Sequence, residues 1–384
     1  MNKNSKILIT GASGFLGSNF TRFLDDDGKK ITIKLNKNSN IWRLKDIIKK
    51  LDVNYIDIKN KKDIYEKIKE IKPDYVYHFA SYGVNPNQND LGEIFKTNVL
   101  GTTNILHALE KIGIKRMINI GSGAEYGQIK GKSKENDGIN PTTPYTISKS
   151  TQTLLVKYFS DINKIPSVTL RIFTPYGKFE SKGRLISDIM TSIIKKRSLH
   201  LSSKNAFRDF VFIDDVNDAL KKSANKPKIE NEIFNIGGGK AISIKNIVEL
   251  SLKITGSKSK IIWNTNKPRL LDKFQKAVYA DLSKTEKLLQ WKPITTLERA
   301  DAWIYDHGAL ISYYLVAFTG LLMLWLLWSI NNQKRALNSR VAKQPIKPKK
   351  KASAKRPAKK AAKKTTAKKA AKKTAKKKAS KKKS

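Results

Sequence analysis

The chain has 384 residues, 39% of them apolar and 28% charged, which is enough for a sizeable core and excludes a chain disordered throughout. It has no cysteine, which excludes disulfide scaffolds, thiolate metal sites and cysteine nucleophiles, and its four histidines form no close pair, so no metal site is expected. The net charge of +45 is uneven: residues 1–300 hold 53 bases against 30 acids, 301–330 two acids and no base, and 331–384 hold 24 bases and no acid.

In chain order, short apolar runs alternate with stretches that are apolar at helical spacing. The run from Ile7 to Thr10 predicts a strand, and Phe15, Leu16, Phe20, Phe23 and Leu24 predict one face of a helix. A second strand is expected at Ile31 to Ile33, a helix at Ile64 to Ile71, and a strand at Tyr75 to Phe79. A helix from Val99 to Leu109 and a strand from Arg116 to Ile120 follow. This alternation predicts right-handed βαβ units in an α/β, doubly wound parallel sheet.

Residues 308–330 are 23 consecutive uncharged, mostly apolar residues, long enough to cross a hydrocarbon core of about 30 Å as one transmembrane helix. Tyr313, Tyr314, Trp325 and Trp328 lie toward its ends, where amphipathic rings prefer the interface. Residues 331–384 are rich in lysine and alanine, resemble linker-histone tails and lack apolar bulk, so a disordered tail is expected. Lysines without interleaved aromatics predict salt-sensitive binding to nucleic acid or anionic lipid, without base reading. The basic flank favours a cytoplasmic tail, whereas the lack of a signal-peptide core at the N-terminus favours a cytoplasmic N-terminal domain. The expectation adopted is a cytoplasmic, membrane-anchored N-terminal domain, and the composition break near residue 299 suggests a join of unrelated segments.

Two patterns carry chemistry. Gly11-Ala-Ser-Gly14-Phe-Leu-Gly17 sits between the first strand and first helix, where glycines permit a tight turn and close approach of a pyrophosphate to helix N–H groups. Tyr145 and Lys149 are four apart, one turn along a helix face, where an ammonium is expected to lower the phenol pKa so that it exchanges a proton with an alcohol or carbonyl oxygen. Ser122, just past the strand ending near Ile120, is placed to hydrogen-bond the same oxygen.

These motifs occur in order with His78-Phe-Ala80, Thr97-Asn98-Val-Leu-Gly-Thr102, Ser122-Gly-Ala-Glu-Tyr126-Gly127, Leu170-Arg171-Ile-Phe-Thr174-Pro-Tyr176-Gly177, Arg208-Asp-Phe-Val-Phe-Ile-Asp214, Phe234-Asn235-Ile-Gly237 and Trp291-Lys-Pro293. As a set they resemble the extended short-chain dehydrogenase/reductases, the NAD(P)-dependent nucleotide-sugar epimerase and dehydratase family, from residue 6 to about 297. The resemblance implies a Rossmann-type domain over 1–175 and a smaller substrate-binding subdomain over 176–299, with some elements returning to the sheet. It implies Ser122, Tyr145 and Lys149 as the catalytic triad, with Asn98 supporting a proton path to Lys149. The implied dinucleotide contacts are Gly11, Ser13, Gly14, Phe15, Leu16, Gly17, Asn36, Lys37, Arg43, Asp57, Ile58 and Ala80, besides Tyr145 and Lys149. The implied substrate contacts are Ser122, Thr174 and the phosphate-gripping Arg208 and Arg269. Thr174, Pro175 and Lys178 depart from the family's usual Asn-Val-Tyr-Gly-Pro run.

No acid follows the second strand at Leu35-Asn36-Lys37-Asn38, and Lys37 and Arg43 lie nearby, which favours NADP(H), with NAD(H) as the alternative. The 4,6-dehydratases carry Asp-Glu where this chain has Gly123-Ala124, so dehydration is not expected. Trp42-Arg43, Ser81-Tyr82-Gly83 and the Gly121 to Gly127 loop look most like CDP-abequose/paratose synthase-like 4-ketoreductases. The expected activity is therefore 4-keto reduction of a nucleotide-activated deoxysugar by a homodimer. The alternatives are a 4-epimerase and, in another class, a membrane-tethered nucleic-acid or lipid binder with an inactive cofactor domain.

Overall fold

Seven parallel strands form the centre of the fold, and a computed structural model describes residues 1–299 except 3, 37–38, 86, 128–130 and 266–277. The strands are β1 (Ile7–Thr10), β2 (Ile31–Leu35), β3 (Asp52–Tyr55), β4 (Tyr75–His78), β5 (Arg116–Ser122), β6 (Ser167–Ile172) and β7 (Glu232–Ile236). Their spatial order is β7-β6-β5-β4-β1-β2-β3, and every pairing is parallel. The winding reverses between β1 and β4, which opens a crevice at the carboxyl ends of those strands.

Helices cover both faces of the sheet, and its inner strand β1 has apolar residues on both. Along β1, Ile7 and Ile9 enter one core cluster and Leu8 the other, the period-2 consequence of a pleated strand. On the first face lie α1 (Phe15–Asp26) and a helix at Ile213–Asn225, with Phe20 and Leu24 one turn apart against the sheet. The Phe20 and Tyr77 rings pack there at 4.4 Å between centroids. On the second face α2 (Lys61–Ile71) supplies Ile64 and Ile68. A helix at Gly101–Ile112 supplies Ile105 and Leu109, and one at Pro144–Ile162 supplies Val156 and Phe159.

The helix expected from Val99 begins earlier. α3 (Leu91–Phe95), capped by the Asp90 side chain on the Glu93 amide at 2.8 Å, runs through a wide π turn at Lys96–Leu100 into α4 (Gly101–Ile112). A π turn inserts one residue and breaks the 3.6-residue apolar phase, so periodicity recognises only the second half. The same insertion turns Asn98 inward, where it is fully buried.

Helix α5 (Pro144–Ile162) starts cleanly, with the Thr143 side chain accepting from the Thr146 amide and proline at its first position. Past β6, residues 174–176 pair with 210–212, and α6 (Leu185–Ile194), α7 (Ile213–Asn225) and α8 (Ile244–Thr255) follow. Of these later elements, α7 and β7 pack into the layers of the main sheet, while α6 and α8 pack together with the strand pair at 199–201 and 261–263. Trp291 closes the described part of the chain over α7: its ring is 2% exposed and Nε1 donates to the Asp215 carbonyl at 3.0 Å.

No helix among the described residues is long and apolar enough to cross a membrane. The expected span at 308–330 and the tail at 331–384 lie outside the described residues, as do Lys37 and Arg269.

Removing the Trp291 ring deletes a buried aromatic and leaves a cavity, at a cost of about 3–5 kcal/mol. Trp291→Ala should lose that much in urea unfolding, followed by the fluorescence of the remaining tryptophans. A loss below about 1 kcal/mol would show that this closing contact is not part of the core.

Candidate functional site

The Gly-rich turn leaves β1 at the point where the sheet order reverses. Gly11 takes φ +69°, and a Cβ there would stand 2.5 Å from the Ala80 amide nitrogen. A Cβ on Gly17 would stand 2.4 Å from the Gly11 carbonyl oxygen, so this close approach also requires glycine. Helix α1 starts after Gly14 with no side-chain cap and no acid in its first turn, leaving its positive end to the crevice. That cradle fits a dinucleotide pyrophosphate. Ser13, Phe15 and Leu16 complete the turn, and Ala80 faces it from the end of β4, its amide 3.4 Å from Thr10 Oγ1.

The expected adenosine contacts fall into two groups. Asn36, just past β2, and Asp57, just past β3, are brought together: Asn36 Nδ2 lies 3.5 Å from Asp57 Oδ2, and the other carboxylate oxygen accepts from the Lys59 amide at 3.0 Å. Ile58 points into the core, packed against Gly101 of α4, and its carbonyl accepts from Asn104 Nδ2 at 2.9 Å. Arg43 is buried and already engaged. Its guanidinium lies over the Trp42 ring and donates to the Phe179 carbonyl at 2.8 Å, the Ser13 carbonyl at 3.2 Å and Ser181 Oγ at 2.7 Å. It thereby braces the outer edge of the Gly-rich turn.

The triad does converge. Ser122 is the last residue of β5, with its hydroxyl accepting from the Ala124 amide at 3.2 Å. Tyr145 and Lys149 lie one turn apart on α5, with the Ser122 and Ser81 hydroxyls near the phenol and Ser81 Oγ buried without a hydrogen-bond partner. The expected effect of lysine on the phenol is not found. Desolvation, reinforced by the charge of Glu125, pushes the Tyr145 pKa up to about 12, and Arg184 with the two hydroxyls opposes it only in part. Lys149 is itself desolvated, which pulls its pKa down to about 8, and its ammonium donates to the Ile120 carbonyl at 2.5 Å and to the Gln152 side-chain oxygen. Burial outweighs the through-space charge on which the spacing argument rests.

Asn98 is tied to the chain at Tyr82 and to α5. Its amide donates to Ser148 Oγ and to the Tyr82 carbonyl, and its oxygen accepts from the Tyr82 amide, each at 2.8 Å. It braces α5 one residue before Lys149 instead of bonding Lys149 directly. A second chain reaches Asn98 from the crevice. The Thr102 hydroxyl donates to the Asn98 carbonyl at 2.6 Å, so it accepts from His78 Nε2–H at 2.9 Å, and His78 Nδ1 then accepts from the Thr10 hydroxyl at 2.7 Å. Desolvation, with the charges of Lys149 and Lys34, drops the His78 pKa to about 3 and keeps the ring neutral.

On the substrate side, Thr174 donates its amide to the Asp209 carbonyl at 2.9 Å. Arg208 lies in a short strand pairing with 242–243, and its guanidinium donates to the Phe207 carbonyl at 2.6 Å. Asp209 beside it is buried and accepts from the amides of Gly238 at 2.6 Å and Ala280 at 2.8 Å, which fixes this edge.

Several polar groups here escape the sequence reading. Lys34 is 4% exposed inside β2, where desolvation pulls its pKa down to about 7 against the charges of Asp57 and Asp63. A lysine within Ile-Thr-Ile-Lys-Leu, a strand buried on both faces, is the available signal. Glu125 and Arg171 form a buried ion pair at 3.0 Å beneath Ser122, and Gln152 joins Lys149 to Asn119. Their side chains carry no spacing signal, because the partners lie on different elements.

A cradle for a dinucleotide and a Ser-Tyr-Lys cluster thus share the carboxyl end of one doubly wound sheet. Residues 7–237 match the model of the NAD dependent epimerase/dehydratase family. The chain belongs to the NAD dependent epimerase/dehydratase family. Among its relatives, a UDP-glucuronate 4-epimerase of Thermodesulfobacterium geofontis is 28% identical over 308 residues, covering 76% of this chain and 92% of the relative. The UDP-glucuronic acid 4-epimerase of Bacillus cereus, solved with UDP-glucuronic acid and NAD, is 26% identical with a TM-score of 0.69, covering 78% of this chain and 98% of that one. The UDP-glucose 4-epimerase of Thermotoga maritima, solved with UDP-glucose, shares the fold at a TM-score of 0.72 and 23% identity, covering 79% and 99%.

The close approach at Gly17 gives a direct check. Gly17→Ala must displace the Gly11 carbonyl, so NAD(H) and NADP(H) affinity should fall by more than about tenfold, a loss of about 1.4 kcal/mol or more. Unchanged affinity by NAD(P)H fluorescence titration would place the dinucleotide elsewhere.

Proposed function

We propose that this chain catalyses NAD(P)-dependent oxidoreduction at C4 of a nucleotide-activated sugar, with 4-epimerisation as its reaction. The observation that carries this reading is the placing of Ser122 at the end of β5 and of Tyr145 and Lys149 one turn apart on α5, at the sheet end that holds the Gly-rich cradle. The 4-epimerases among its relatives support the choice of reaction. When bound, the nicotinamide supplies reversible hydride transfer. Tyr145 exchanges the proton of the sugar hydroxyl, and Ser122 and Ser81 hold that oxygen by hydrogen bonds. Lys149 supplies the positive charge one turn away. Gly123 and Ala124, following Ser122, offer no acid–base pair for water elimination.

One observation favours a second reading, 4-keto reduction. A phenol with its pKa near 12 rests protonated, as a proton donor to a keto oxygen requires. The two readings separate in one assay. An epimerase interconverts UDP-glucose or UDP-glucuronate with the C4 epimer without net dinucleotide consumption, whereas a reductase oxidises one NAD(P)H per nucleotide 4-keto sugar. Tyr145→Phe should lower either turnover by at least about 10²-fold, the lower range for a positioned acid–base group. Dinucleotide affinity should change no more than a few-fold, and near-normal turnover would remove Tyr145 from the chemistry.

For the cofactor, the missing acid after β2 and the Arg43 guanidinium against Ser13 support NADP(H), while NAD in the Bacillus cereus relative supports the alternative. With Lys37 and Arg43 both changed to Ala, NADPH affinity should fall several-fold more than NADH affinity; equal losses would reject the NADP(H) preference. For assembly, Ile147, Leu154, Tyr158 and Ile162 are exposed along one face of α5, which supports a homodimer. The apolar run at 308–330 supports an enzyme domain tethered to a membrane, and the basic tail supports binding to anionic lipid or nucleic acid. A chain ending at residue 300 should stay soluble and lose salt-sensitive binding to DNA and anionic vesicles.

A further inference from the structure

Glu125 lies in the turn after β5 and is fully buried. One carboxylate oxygen accepts from the Ser122 amide at 2.7 Å and from the Thr153 hydroxyl of α5 at 3.2 Å. The other accepts from Arg171 Nε of β6 at 3.0 Å. Arg171 is held in turn, its Nη1 donating to the Tyr126 hydroxyl at 3.0 Å and the Glu135 carbonyl at 3.2 Å. A buried carboxylate is costly unless its lone pairs are met and its charge is opposed; here three donors, one of them a guanidinium, oppose the desolvation that pushes the Glu125 pKa up. Yet a small apolar residue would fill the turn without any of these partners.

We propose that Glu125 is a positioning residue for the reacting pair: a single buried carboxylate that fixes the Ser122 backbone, ties the turn to α5 through Thr153, and supplies the negative charge facing both Tyr145 and Lys149. This rests on the reading of Tyr145 and Lys149 as the proton-exchanging pair. The charge acts on both groups in the same direction. It raises the Lys149 pKa against desolvation, keeping the ammonium charged, and it raises the Tyr145 pKa, keeping the phenol protonated. The other groups facing this cluster are Arg171 from β6 and Tyr126 bonded to the same guanidinium. His78 from β4, neutral by burial, lies near Lys149, and Arg184 at the start of α6 acts on Tyr145. The turn therefore biases the resting site toward a proton donor beside a cation, which a purely architectural ion pair would not need to do.

The test reads Lys149 itself and needs no substrate. The full-length chain is labelled with 13Cε-lysine, and the Lys149 signal, assigned by its loss in Lys149→Arg, is followed by NMR across pH 6–11, so that no reagent has to reach the buried amine. The midpoint should lie near 8 in the unaltered chain. In Glu125→Gln it should fall by about one pH unit, a tenfold change in proton affinity. Thr153→Val removes a bond to the carboxylate and leaves its charge, so its midpoint should stay within a few tenths of the unaltered chain. Glu125→Gln sets an amide against the Arg171 donors; if that variant does not fold, E125Q/R171Q, in which two amides can meet, should show the fall. An unchanged midpoint in the folded Glu125 variant, or an equal fall in Thr153→Val, overturns the proposal. Failure to turn over any nucleotide sugar would instead count against the proposed function and leave the Lys149 titration intact.

Discussion

The site depends on one buried hydrogen-bond chain across the point where the strand order reverses. Thr10 at the end of β1, His78 at the end of β4 and Thr102 on α4 form it, and it runs on through the Asn98 backbone. Beyond the end of β4 the Phe79 amide still donates to the Thr10 carbonyl at 3.1 Å, and the side-chain bonds add to this main-chain tie in setting the width of the crevice. A neutral histidine suits the task because it donates from one nitrogen and accepts at the other, and its fully buried ring stays neutral at any physiological pH. From Asn98 the chain continues to Ser148, so the Gly-rich turn and the helix carrying Tyr145 and Lys149 are held in one continuous polar network.

That network explains why so many polar side chains are buried in a region that needs to hold ligands. Asn98, Thr102, Lys149, Gln152 and Glu125 are all nearly or wholly inaccessible, yet each is hydrogen-bonded to a neighbouring element or turn. Satisfied buried networks fix rotamers, and fixed rotamers give a catalytic cluster its geometry. The same burial sets the electrostatics, since it pulls Lys149 down and pushes Tyr145 up. The site is built first as a packed polar core and only second as a pair of interacting charges.

Much of the fold is legible in the sequence because its signals are local. The strand at Ile7–Thr10, the Gly-rich turn and helix α1 follow from adjacent residues, and the Tyr145–Lys149 spacing follows from helix geometry alone. The start of the helix before Gly101 is not legible, because the π turn shifts the apolar phase by one residue. The effect of burial on Tyr145 and Lys149 is not legible, because spacing shows a neighbour and not the depth of burial. Lys34, Glu125 and Arg171 escape notice for a related reason: a charged residue inside an apolar run reads as a surface position until the opposite element is known. The core packing of the Ile58 side chain against Gly101 is likewise set by α4, an element more than 40 residues away, and carries no signal of its own.

The most direct measurement of this account is a structure of the full-length chain with NAD(H) or NADP(H). The account predicts the pyrophosphate on the amides of the turn from Gly11 to Gly17, and the Lys149 ammonium turned from the Ile120 carbonyl and Gln152 toward the dinucleotide. A dinucleotide bound away from the crevice between β1 and β4, or one that leaves Tyr145 and Lys149 out of reach, would contradict it.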